Sequence, residues 1–232
     1  MSVLFSEAVL AFYAQLEIPK NLPKGVEALY PFENKEVWDV NTEFYNTFYS
    51  DSSERTYLIG INPGRLGAGV TGIPFTDPIR LSDVLQIKND FAPKAELSSK
   101  FIYDVIASFG GPMNFYKNFY FTSVSPIGFT KEGKNLNYYD EKTLENNLEE
   151  YIKTNLEGQL EAFPSNRKVA FCLGMGKNYT YLNKINSKHG FFERIIALPH
   201  PRWVMQYRLK RKEEFILEYN KKLSLEIKAN KT

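Results

Sequence analysis

The sequence predicts an α/β fold, a three-layer α/β/α sandwich around a four-stranded, mainly parallel sheet. Two patterns predict it. Four short apolar runs, each stopped by Gly or Pro, alternate along the chain with longer segments of helical period. Strands separated by helices join through right-handed crossovers into a parallel sheet covered on both faces. No internal repeat, low-complexity tract or linker interrupts the pattern, so residues 1–232 read as a single domain.

In order, the elements justify themselves as follows. Ser2–Leu16 repeats apolar residues at helical spacing and ends near Pro19. Asn21–Asp51, rich in aromatics, Pro and turn formers, reads as an irregular covering layer with short helices. Thr56–Ile61 is a buried strand stopped by Asn62-Pro63-Gly64, and Ala95–Phe109 a helix. A second strand, Asn118–Val124, stops before Pro126 and precedes a helix over Asp140–Phe163. Lys168–Leu173 is a third strand, stopped by Gly174 and followed by a helix over Lys177–Ile185. Arg194–Leu198 is the fourth, stopped by Pro199, and Arg208–Ile227 forms a closing helix. Ligands of such sheets lie outside the carboxyl ends of the strands. The segments there are Asn62–Phe75, Ser123–Phe129, Gly174–Lys177 and Pro199–Arg208.

Composition removes several function classes. Hydrophobic residues at 43% and charged residues at 24% are the balance of a folded chain. No apolar run approaches the ~20 residues of a membrane helix. Met1–Leu16 carries Glu7 in an amphipathic pattern without a basic start or a cleavage site. A cytoplasmic monomer is the expectation. The single cysteine, Cys172, excludes an internal disulfide and sits in the apolar run Val169–Leu173, as a buried structural thiol would. Two histidines are too few for an ordinary His-based metal site, so neither metal nor cofactor is expected. Of the two, His189 has the makings of an exposed turn and takes no role. The net charge of +2 says little, but Arg202, Arg208, Lys210, Arg211 and Lys212 crowd into eleven residues. Such a cluster suits phosphates, and equally a solvated helix face.

The stretch Gly60–Phe75 holds five glycines and two prolines directly after a buried strand. It lacks the Gly-Lys-Ser or Gly-Lys-Thr of a phosphate loop and the Gly-x-Gly-x-x-Gly of a dinucleotide site, so it reads as a pocket-forming loop. Asn62 brings both a carbonyl and an amide to the strand end. It also suits a plain turn cap before Pro63.

Gly60-Ile61-Asn62-Pro63-Gly64, with its spacing to Thr71-Gly72-Ile73-Pro74-Phe75, resembles the first motif of the single-strand-selective monofunctional uracil-DNA glycosylases over sixteen positions. An aromatic strand ending in Ser125-Pro126 and a late His200-Pro201 followed by a basic loop fall in the same order. The resemblance runs from about Leu29 to Arg211. It implies the uracil-DNA glycosylase fold, DNA containing uracil (single- or double-stranded) as partner, base flipping, and cofactor-free hydrolysis of the N-glycosidic bond. Asn62 then orients the attacking water, and His200 donates a hydrogen bond to uracil O2. Phe75 stacks on the flipped base, and the peptide N–H groups around Ile61 and Gly64 bond a uracil carbonyl. Arg202, Trp203 or Met205 supplies a wedge in the DNA, although Trp203 and Met205 also suit a core. Arg202, Arg208 and Arg211 meet phosphates. No lysine nucleophile is expected in the pocket, which makes the enzyme monofunctional.

The sequence departs from that family twice. The Ser-Pro expected after His200-Pro201 is replaced by Arg202-Trp203, and alignment on Pro126 puts Ser123 where the family carries an Asn that pairs with the uracil edge. A hydroxyl can bond N3–H or O4, but with fewer fixed contacts it discriminates less. A glycosylase preferring a deaminated purine, and a catalytically weak nucleic-acid-binding protein that retains the pocket, are the alternatives.

Overall fold

The computed structural model describes residues 3–229. In chain order the elements are α1 (Phe5–Ala14), β1 (Val26–Leu29), a 3-10 turn (Pro31–Glu33), α2 (Lys35–Phe48), β2 (Arg55–Gly60), α3 (Ala68–Thr71), α4 (Pro78–Asp83) and α5 (Leu97–Ser108). There follow α6 (Pro112–Tyr116), β3 (Phe119–Ser123), β4 (Gly128–Lys131), β5 (Lys134–Leu136), α7 (Lys142–Ala162), β6 (Ser165–Leu173) and α8 (Lys177–His189). The chain closes with β7 (Arg194–Leu198), α9 (Pro201–Tyr207), a 3-10 turn (Leu209–Arg211) and α10 (Lys212–Ala229).

The four predicted strands form one sheet in the order β3-β2-β6-β7, with every neighbouring pair parallel. All six residues of β2 and all five of β3 are buried, as a strand covered on both faces requires. Alternation along β3 sorts its side chains between the layers. Tyr120 meets Phe5 of α1 and Phe163 beyond α7, and Thr122 bonds Gln159 of α7. Phe119 and Phe121 turn the other way, onto Phe115 of α6. The register pairs Gly60 with Ser123 and Leu173 with Leu198, so the four strands end together and leave one rim for a site.

Several expectations are corrected. The predicted helix start at Ser2 lies outside the described residues. Asn21–Asp51 is more ordered than an irregular layer: it contains β1 and the fourteen-residue α2. Asn34 starts α2 by accepting the Glu36 N–H, and Val37, Val40, Asn41, Phe44 and Tyr45 bury one helical face. A second sheet, antiparallel in the order β1-β4-β5, was not expected. Its hairpin turns on Glu132 and Gly133, both at positive φ (51° and 69°), the two-residue turn whose twist matches the strands. The expected basic loop after His200-Pro201 is the helix α9, because Pro201 takes its first position and the His200 side chain accepts the Arg202 N–H. His189 ends α8 half-buried against Phe191 instead of lying in an exposed turn. Among the described residues no helix is long and apolar enough to cross a membrane.

Candidate active site

A cavity of about 610 Å³ opens where the four parallel strands end. Ile61–Gly64 form one wall, Phe75 with Ser123 beside it the floor, and Gly174–Asn178 the end of β6. His200, Arg202 and Trp203 close the side of β7 and α9. Of the predicted residues, Ile61, Asn62, Gly64, Phe75, Ser123, His200, Arg202 and Trp203 all line it.

Asn62 is held by the chain leaving β5. Its Nδ2 lies 3.3 Å from the Leu136 carbonyl and 3.3 Å from the Pro63 carbonyl, and its Oδ1 accepts the Tyr138 N–H at 3.1 Å. An amide has two N–H donors and two acceptor lone pairs. Both donors are therefore engaged, and what remains for a ligand is one lone pair on Oδ1. The neighbouring connection is itself pinned, since Tyr138 donates its hydroxyl to Asn178 Oδ1 at 2.9 Å. Asn178 Nδ2 in turn reaches the Gly60 carbonyl and Cys172 Sγ, each at 3.3 Å. Cys172 is fully buried, and burial pushes its thiol up to about 12, as suits an inert structural residue.

His200 starts α9, with Nδ1 accepting the Arg202 N–H at 3.2 Å. Burial, with the Arg202 charge adding to it, lowers the imidazole to about 4. The ring is therefore neutral near pH 7, and with Nδ1 acting as acceptor its proton sits on Nε2. The side chain offers the cavity a single neutral N–H donor.

Phe75 adopts a left-handed backbone (φ 56°), which for a residue with a side chain costs about 1–2 kcal/mol. Its ring packs on Phe121 at 5.2 Å between centroids. Gly60 makes this possible: a Cβ there would lie 2.9 Å from Phe75 Cζ and 3.3 Å from Ser123 Oγ. Ser123 thus sits beside the aromatic floor of the cavity, 7% exposed.

Three predicted DNA contacts stand elsewhere. Met205 is 7% exposed beneath α9, on the same helical face as buried Pro201 and Val204, so it belongs to the core and cannot be the wedge. Arg208 is exposed outside the cavity with its guanidinium 4.8 Å over the Trp203 ring. Arg211 is exposed and bonded to Glu214 through three N–H···O contacts of 2.8–3.1 Å. The pocket was expected to hold no nucleophilic lysine; Lys177 does line the cavity, exposed, with Nζ 5.8 Å from the Tyr139 ring centre. Activating an amine as a nucleophile takes desolvation or a neighbouring cation, and an exposed ammonium over a ring has the first only in small part.

Sequence reasoning missed Glu96, Asn135, Asn137, Tyr139, Met175 and Asn178, all of which line the cavity. Three of them follow or belong to the unforeseen hairpin. The Gly174–Lys177 segment was marked only by its place at a strand end.

The chain has clear relatives. A profile of the uracil DNA glycosylase superfamily matches residues 47–224. The crystal structure of wild-type SMUG2 from Pedobacter heparinus is 40% identical and superposes with a TM-score of 0.93, over 99% of this chain and 100% of that one. No curated protein matches the chain.

Proposed function

The chain belongs to the uracil DNA glycosylase superfamily, and from that membership we propose that it flips uracil out of DNA and hydrolyses its N-glycosidic bond as a monofunctional enzyme. The glycosylase class itself follows from the family and from the SMUG2 likeness. One observation carries the finer reading: a single cavity combines one free acceptor on Asn62, one neutral N–H donor on His200 and an aromatic floor at Phe75.

These are the groups the reaction needs. As the C1′–N bond breaks, the sugar becomes an oxocarbenium-like cation and uracil leaves as an anion. The His200 Nε2–H meets the charge growing on a uracil carbonyl oxygen, in a site already desolvated and oriented. The remaining lone pair of Asn62 Oδ1 places a water against C1′ and stabilises the positive sugar. An amide cannot take the proton strongly, but a water attacking a cation needs position more than deprotonation. Water supplies OH to C1′ and its proton to the departing base, leaving free uracil and an abasic site.

End-labelled oligonucleotides bearing one uracil, hypoxanthine or xanthine, incubated with the protein and then treated with alkali, test the reading. Uracil strands are expected to be cut at the abasic site, with undiminished release in EDTA and no adduct trapped by borohydride. A trapped adduct would make Lys177 a nucleophile and overturn the monofunctional assignment. Uncut uracil strands would overturn the substrate.

The outer arginines are expected to differ. Arg208, paired with no carboxylate among the described residues and braced on Trp203, is positioned for a phosphate beside the cavity mouth. Arg208→Ala is expected to weaken DNA binding for all sequences and to reduce the salt slope by about one. Arg211→Ala is expected to change the slope less, since Arg211 gives up Glu214 to reach DNA. Fluorescence anisotropy across a salt series measures both, and equal slopes for wild type and Arg208→Ala would take Arg208 off the DNA.

A further inference from the structure

Glu96 puts a carboxyl into the cavity wall. It occupies the position before α5, where Ser, Thr, Asp or Asn normally turns an oxygen onto the first helical turn. Glu96 makes no such bond; its own N–H donates to Asp77 Oδ2 at 2.8 Å. The side chain reaches instead towards the glycine-rich loop. A Cβ on Gly67 would lie 2.2 Å from its Oε2, and one on Gly64 would lie 3.0 Å from its Oε1. The two glycines leave the space that the carboxyl fills. Among the described residues no hydrogen-bond donor reaches either carboxyl oxygen, so its bonding capacity faces the cavity unused.

Ser123 offers the base a single rotating hydroxyl, where a lactam edge (an N–H beside a C=O) calls for a paired donor and acceptor. A neutral carboxyl provides that pair in one group, as a side-chain amide does. We propose that Glu96 is a base-reading residue: its carboxyl, unpartnered in the cavity wall, forms two hydrogen bonds with the lactam edge common to uracil and the deaminated purines. The inference rests on the glycosylase reading above. It assigns a protonation-dependent selectivity to the same cavity.

The surroundings favour the neutral form. Asp77, at the start of α4 and paired with Arg80, presents a carboxylate towards Glu96, while Arg202 of α9 supplies a cation and His200 is neutral. Burial first and the Asp77 charge second raise the Glu96 carboxyl to about 7, with Arg202 opposing. A raised carboxyl is neutral below its midpoint and loses its proton as pH climbs through it. Ionised, it keeps only acceptors and confronts the base carbonyl with like charge. Reading is therefore strong on the acid side of neutrality and weak on the alkaline side.

Titration of free uracil into the protein by calorimetry, at about pH 5.5 and about pH 8.5, tests this without turnover. Wild type is expected to bind uracil about tenfold more tightly at the lower pH. Glu96→Gln, whose amide keeps a donor and an acceptor at every pH, is expected to bind equally at both, near the wild-type acid value. Glu96→Ala is expected to bind weakly at both. Gly67→Ala, which drives a methyl into the carboxyl's place, should reproduce Glu96→Ala and guards against a misfolded variant; thermal melts accompany each. A wild-type affinity independent of pH, a pH step surviving in Glu96→Gln, or a Glu96→Gln as weak as Glu96→Ala would each overturn the proposal. Absence of base release from every oligonucleotide would sink the glycosylase reading instead, and the uracil titration would still judge Glu96.

Discussion

His200→Ala is expected to slow single-turnover base release at least about a hundredfold, the scale for removing one preorganised donor to an oxyanion. The magnitude follows from how completely the donor is prepared. Nδ1 is occupied by the Arg202 N–H, which fixes the tautomer and the ring together, so Nε2–H reorganises nothing as charge develops. Burial holds the imidazole near 4, so the neutral donor is present throughout the neutral range. The group's pKa is depressed, so its neutral form is lost only as pH falls through about 4. There a proton on Nδ1 also removes the acceptor that starts α9. Release by wild type should therefore show no imidazole step between about pH 5.5 and 8.5, and any step near 7 should vanish in Glu96→Gln. DNA affinity should change only a few-fold. Rapid-quench rates for His200→Ala within a few-fold of wild type would remove His200 from the chemistry.

Asn62→Ala carries the second large effect, a loss of about 10²-fold or more in the same assay, because it removes the side-chain oxygen that the Tyr138 N–H anchors in the wall. Asn62→Asp is the sharper variant. A carboxylate is a better base, yet the Leu136 and Pro63 carbonyls at 3.3 Å can only accept, and they would face a carboxylate oxygen where they now meet N–H donors. The anchoring pattern is lost while charge is gained, and the variant is expected to be no faster than wild type. A faster Asn62→Asp would show that proton removal, rather than placement of the water, limits the step.

Much of this site was legible in the chain because buried parallel strands announce themselves. Tyr57-Leu58-Ile59 and Val169–Leu173 are unbroken apolar runs with abrupt Gly or Pro stops, and the sheet rule then places the following residues at the rim. The hairpin escaped for the opposite reason. Its strands have four and three residues, β5 is largely exposed, and a Glu-Gly turn signals less than Asn-Gly or Asp-Gly. With it went Asn135, Asn137 and Tyr139. Met205 was misplaced because residues 201–207 were read as a loop. Once they form a helix, spacing alone puts Pro201, Val204 and Met205 on one face. Glu96 could not be found locally, since an acidic residue before a helix is ordinary and its burial comes from a loop far earlier in the chain.

The anchoring of Asn62 also determines how the enzyme should wear out. Its side chain is clamped by backbone groups at and just after the end of β5, an outer strand of three residues in a sheet separate from the main one. Short, solvent-facing strands open at a lower free-energy cost than the whole molecule. Heating would then release the Asn62 amide while the parallel sheet is still intact, so heat inactivation would run ahead of melting and reverse on cooling.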